Sequence, residues 1–144
     1  MSRSTVVAFL IASVVTLALV STKIRGADEI EYFSHLRSAV FDRDLDFTNE
    51  YAHFHAQNPQ GLAAFKETFL DRREPKTGRP INFAPIGSAV VWSPFYLGAH
   101  ILVTNGVLQG PADGFGPSYT GAVAYGSSFL AILGFVLAFR ALKK

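Results

Sequence analysis

From Ala84 to Phe139 the chain carries one formal charge, Asp113. Nine of its 13 basic residues and ten of its 11 acidic residues lie instead between Lys23 and Arg79. A soluble domain mixes its charges along the sequence, so this partition describes apolar spans bracketing one polar loop. Composition agrees: 49% of residues are hydrophobic and 17% charged, against a usual charged share of about 25%. The expected fold is an all-α integral membrane protein with about three transmembrane helices and a partly helical outer loop between the first and second.

Other classes fall away on the same numbers. The 144 residues suffice for one domain with a modest core. With no cysteine, the chain has no disulfide, thiolate metal site or cysteine nucleophile. The net charge of +2 comes from loop cations matched almost one for one by acids, so there is no stripe for nucleic acid. Thirteen phenylalanines and long apolar runs argue against disorder.

The first apolar run, Thr5 to Val20, extends through Ser21, Thr22 and Ile24 to about the 20 residues a crossing helix needs. Lys23 and Arg25 follow at once, so residues 1–24 read as an uncleaved anchor rather than a signal peptide. Residues 25–83 form the outer loop, and residues 84–144 a helical hairpin with a Gly/Pro linker over 104–118. The second run, Ala84 to Val103, contains Trp92, Pro94, Phe95, Tyr96 and His100, which suit a shallow, broken or protein-packed helix. The third, Tyr119 to Leu142, is the cleanest span. Its Gly121, Ala124 and Ser128 recur at helical spacing and offer a packing face, as do Ala122 and Gly126; a glycine-tolerant membrane helix looks the same. Arg3 and the Arg140, Lys143, Lys144 cluster both favour the cytoplasm, which three full crossings would deny to one of them. The expected location is the cell membrane, multi-pass, with the loop outside.

Within the loop, Ile30, Phe33, Leu36, Arg37 and Val40 recur at three-to-four spacing. The spacing predicts an amphipathic helix over Asp28 to Phe41 lying at the membrane surface. Leu45, Phe47, Tyr51 and Phe54 are too irregular to assign. Gly61 to Leu70 reads as a second short helix, with Leu62, Phe65 and Phe69 on one face. Lys76 to Pro80 reads as a tight surface turn.

Four groups carry possible chemistry. Asp28 and Glu29 could serve as general base or cation ligands, or simply complement a helix dipole. Asp42, Asp44, Asp46 and Glu50 could gather round a divalent cation, although Phe47 and His53 stand where a calcium loop needs glycine and glutamate. His53 and His55 lack an evident third metal ligand, whereas His100, inside an apolar run, could ligate a pigment or haem or be hydrogen-bonded. Lys66, Arg72, Arg73, Lys76 and Arg79 could hold a phosphate but are interleaved with Glu67, Asp71 and Glu74.

Several runs carry a resemblance: Asp28 to Phe33, Phe41 to Tyr51, Thr77 to Gly87 and Trp92 to Tyr96. Together they resemble the amino-terminal part of type-C membrane glycosyltransferases, including protein O-mannosyltransferase-like and aminoarabinose-transferase-like bacterial proteins. The resemblance implies sugar transfer from a polyprenyl phosphate on the outer face of the membrane. It implies an acceptor-side base or metal ligand at Asp28, with Glu29 beside it. Asp44, Asp46 and Glu50 are candidates for the family's second acidic loop residue.

Such enzymes contain many more helices than this chain. Two functions follow as expectations. The chain is a small membrane subunit, derived from such a front end, that packs among lipids and other membrane-protein subunits without catalysis of its own. Alternatively, it is the front piece of a transferase whose donor is a polyprenyl-phosphate sugar.

Overall fold

A computed structural model describes residues 3–142; Lys143 and Lys144 of the C-terminal basic cluster lie outside the described residues. The protein is all-helical, with 66% helix and no strand among the described residues. In chain order, α1 is Arg3–Ala18, α2 Ala27–Arg37, α3 Thr48–Gln57, α4 Ala63–Phe65, α5 Gly87–Thr104 and α6 Pro117–Ala141. A π-helical turn, Ser38–Asp42, extends α2, and another, Lys66–Leu70, extends α4.

The expectation of three crossing helices holds only in part. Among the described residues, α6 alone is long and apolar enough to span a bilayer. Helix α1 stops at 16 residues, short of the roughly 20 required. Helix α5 reaches 18, but Trp92, Ser93, Pro94, Tyr96 and His100 dilute its apolar character. Pro94 would leave the Val90 carbonyl without its helical donor; the Ser93 hydroxyl donates to it at 2.8 Å instead.

Helix α6 begins where sequence chemistry places a start, with Gly116 extended and Pro117 in the first turn. Two of its hydroxyls are satisfied within the helix: Ser127 and Ser128 donate to the carbonyls of Val123 and Ala124. Helix α5 lies antiparallel to it. Phe95 sits against Gly126 and Phe129, and one turn on His100 meets Tyr119. A Cβ at Gly126 would stand 2.5 Å from the Phe95 ring. Ala124 and Ser128 turn toward residues 20–24 that follow α1, and Gly121 borders both that segment and the α5 side. Thr22 lies beside Gly121, while α1 itself shares a groove with the stretch from Ala131 to Leu142. The two helices therefore run antiparallel.

The loop folds as a body with its own core. Gly26 opens α2, and Glu29 Oε2 accepts the backbone N–H groups of Arg25 and Gly26 at 2.7 and 3.1 Å. The apolar stripe of α2 is a correction to the surface-helix expectation. Ile30 and Phe33 are fully enclosed, so this face packs on protein rather than lipid. Phe33 contacts Phe54 of α3 and Tyr96 of α5, both edge-on with centroids 5.7 Å apart.

Helix α3 occupies the stretch that looked irregular. Asp46 Oδ1 accepts the N–H and hydroxyl of Thr48 ahead of it, and Tyr51 and Phe54 then face inward one turn apart. Leu62 and Phe65 are buried on the next turn, as their spacing predicts. The surface turn before Pro80 closes through the Glu74 N–H on the Arg79 carbonyl.

Helix α2 and its π turn flank α5 along most of its length. Glu31 Oε1 accepts the Phe83 N–H at 2.7 Å, Tyr32 meets Trp92, and Phe41 meets His100 and Tyr119.

Close approach at Gly126 gives a direct test. Gly126→Val should drive Phe95 off α6 and cost about 1–3 kcal/mol, read as a lower thermal midpoint in detergent. Adding Phe95→Ala should recover a measurable part of that loss.

Candidate functional site

Arg37 leaves the apolar stripe of α2 at the point where the helix loosens into its π turn. Its guanidinium is the junction of four segments. Nη1 donates to Glu50 Oε1 of α3 at 3.0 Å and to Asp42 Oδ2 of the π turn. Nε donates to the Asp113 carbonyl at 3.3 Å. The same plane stands over the rings of Phe115, 4.4 Å from its centroid, and Phe41 at 5.5 Å. Asn49 adds a 2.7 Å bond to Asp42.

Two carboxylates share this one cation, and Glu50 has the poorer position. It is 0% exposed, and its second oxygen, Oε2, is buried with no hydrogen-bond partner among the described residues. Burial pushes its pKa from 4.5 up to about 7, against the opposing pull of Arg37. Glu31 is also raised by burial, offset by the Phe83 N–H. Tyr51, packed between Phe47 and Phe65, is raised by burial. His53 is lowered by burial: it stacks 3.9 Å from Phe115 and accepts the Gln57 amide N–H at 2.7 Å.

The acids singled out in the sequence do not assemble into one site. Asp28 is exposed at the start of α2, while Glu29 is committed to capping it. Asp44 Oδ1 accepts the Ser38 hydroxyl and the Asp46 N–H, which hold its carboxyl below the usual range. Asp46 caps α3 with one oxygen and stands 4.0 Å from Arg79 with the other. Glu50 turns inward to Arg37. Among the described residues no three His, Asp or Glu side chains converge as a metal site.

His100 is half-buried, its Nδ1 and the Tyr119 hydroxyl joined at 2.8 Å. The neighbouring Tyr96 hydroxyl donates to the Gly114 carbonyl at 2.9 Å. Gly114 has φ +85°, and a Cβ there would stand 2.6 Å from Phe41. Glycine is required on both counts. These bonds tie the linker to α5, and α5 to the start of α6.

Sequence reasoning missed the Arg37 junction. The signal was present: an arginine on a stripe otherwise made of Ile30, Phe33 and Leu36 needs a buried anion, and Glu50 sits one position before Tyr51. No protein-family model, curated protein or solved structure matches the chain.

The raised pKa of Glu50 fixes the sign of a pH dependence. The folded state binds this proton more tightly than the unfolded chain does. The resulting stability is fully present below pH 4.5 and is lost as pH rises through about 7. Denaturant unfolding should therefore show the loop more stable at pH 5 than at pH 8. Glu50→Gln should remove most of that difference, on the order of 3 kcal/mol. Arg37→Met should destabilise by about 3–5 kcal/mol at pH 8, because it leaves a buried carboxylate unpaired.

Proposed function

We propose that the chain is a small integral membrane subunit that packs its helices within a larger membrane complex and has no catalysis of its own. The observation that carries this reading is the contrast between its two parts. The loop hides most of its large apolar side chains, Leu45 and Phe83 apart, whereas the helices display theirs: Val14 is 66% exposed, Ile101 60% and Phe135 70%. Such surface needs lipid or protein cover. Between α5 and α6 an apolar groove of about 720 Å³ has a small-residue floor, Gly98, Gly121, Ala122 and Gly126, of the kind that admits a neighbouring helix.

In this reading α1, continued by Leu19 and Val20, and α6 cross the membrane as an antiparallel pair. Arg3 and Arg140 then lie at the same end, on the cytoplasmic side, which resolves the conflict that three crossings create. Helix α5, which packs on α6 through Phe95 and Phe129, enters the membrane beside α6 without crossing it.

The resemblance to type-C glycosyltransferases supports a second reading, in which the chain supplies an acceptor-side base. Asp28 is the acid that favours it, being exposed and, unlike Glu29, not spent on a cap.

Gentle solubilisation of native membranes, with a photo-crosslinker at Gly98, tests both readings. A subunit should co-purify at fixed ratio with membrane partners that crosslink at Gly98, and Asp28→Asn should leave that complex and its activity unchanged. Loss of sugar transfer in Asp28→Asn would favour the second reading. Recovery of the chain as a monomer without partners would sink the first. Accessibility labelling should place residues 3 and 140 on the same side and residue 76 on the other.

A further inference from the structure

The linker between α5 and α6 meets the loop at the Arg37 guanidinium. Nε donates to the Asp113 carbonyl at 3.3 Å, and the charged plane stands 4.4 Å from the Phe115 ring centroid. His53 of α3 stacks on the same ring. Gly110 and Gly114, at φ +125° and +85°, bracket this contact and give the linker its pivots. The linker also walls a recess of about 650 Å³, where Pro111, Asp113 and Phe115 face the segment after α1 and the end of α3.

The two acids on Nη1 differ in what else they can reach. The Asp42 side chain is 26% exposed and also accepts the Asn49 amide N–H at 2.7 Å. Glu50 is fully enclosed, and its Oε2 has no hydrogen-bond partner among the described residues. A charge on Glu50 is therefore answered by Arg37 alone, and a proton on Glu50 removes that demand. Burial favours this proton, Arg37 opposes it, and the neighbouring Asp42 adds to the effect of burial.

The remaining groups around the junction are otherwise engaged. Tyr51 on the same helix and Tyr96 of α5 are raised by burial and stay neutral. Glu31 of α2 accepts the Phe83 N–H. The turn after α4 presents the ring of Phe69, and α4 that of Phe65, to Tyr51. The Asp113 carboxylate accepts the Phe115 N–H. Burial holds His53 towards its neutral form.

We propose that the Arg37 junction is a proton-operated latch: with Glu50 protonated, Arg37 holds the linker through the Asp113 carbonyl, and when the proton leaves, the guanidinium turns to Glu50 and lets the linker go. A bond to a carboxylate is about twice as strong as one to a neutral acceptor, and the Asp113 contact is the longest that Arg37 makes. It is therefore the first to be given up. Asp42, which reaches water and Asn49, follows at little cost. Release of the linker widens the recess between the loop and the start of α6. The latched form binds the proton more tightly, so it is fully favoured below pH 4.5 and loses ground as pH rises through about 7.

The chain has no cysteine, so Leu45→Cys with Ala112→Cys, both exposed positions, puts spin labels on the loop and linker sides of the junction without background. The distance between them is measured by electron paramagnetic resonance on the full chain in detergent, from pH 4.5 to 8.5. The expected result is one short distance at acid pH and a longer population that grows with pH. Its ratio to the short one should rise by up to roughly tenfold per pH unit and level off above about pH 7. Glu50→Gln should keep the short distance throughout. Asp42→Asn, which removes one support for the Glu50 proton, should move the levelling to lower pH.

A distance that does not change with pH would overturn the latch. A change that persists in Glu50→Gln would overturn it too, and would assign the effect to another group such as His53. A change accompanied by loss of helical circular dichroism would be unfolding, and would equally sink the proposal.

Discussion

Arg37 places a permanent charge on the face of α2 that is otherwise Ile30, Phe33 and Leu36. A guanidinium cannot shed its proton to enter an apolar interior, so the surroundings must supply anions and acceptors. Three segments converge to do so: the π turn through Asp42, α3 through Glu50, and the linker through the Asp113 carbonyl. Each contact fixes the path of a different stretch of chain. The widened turn after Arg37 carries Phe41 toward Tyr96, His100 and Tyr119. The linker is thereby drawn close enough that only glycine fits at position 114. Loop and hairpin fold as one body because one largely enclosed cation needs both.

That arrangement carries a cost. A buried ion pair gives up hydration that its mutual attraction only partly restores, and here the second carboxylate oxygen of Glu50 is left without a donor. The stabilising material is aromatic: Phe33, Tyr51, Phe54, Tyr96 and Tyr119 pack mostly edge-on around the junction. Such pairs add about 0.5–1.5 kcal/mol each beyond their buried area, enough in aggregate to hold a costly pair in one geometry.

Much of the architecture was legible because periodicity is a local property. The stripe of α2, the short helix around Phe65 and the long apolar run of α6 all lie where their spacing puts them. What was not legible depended on contacts between distant residues. Helix α3 looked irregular because its inward face carries only two apolar residues, Tyr51 and Phe54, beside the charged Glu50, and its start depends on the side chain of Asp46. The stripe of α2 gave the right helix and the wrong neighbour, since amphipathicity shows that a face is buried and not what buries it. The acidic run from Asp42 to Glu50 suggested a cation site. Its carboxylates are instead distributed among a cap, a turn and Arg37.

The buried residues of α6, Tyr119, Gly121, Val123 and Gly126, all lie in its first half. Beyond them Phe129, Leu133, Phe135 and Leu137 are exposed. Polar ties follow the same gradient: His100 to Tyr119 and Tyr96 to Gly114 cluster at the end nearest the loop. A single helix thus changes its surroundings along its length, from a protein core with hydrogen bonds to a surface with nothing polar to offer. Water is a poor solvent for that second half, and α1 covers only one side of it. The loop therefore acts as an anchor point that fixes the direction of α6. The exposed half is left to whatever apolar medium or neighbour surrounds it, which is the division of labour a packing subunit requires.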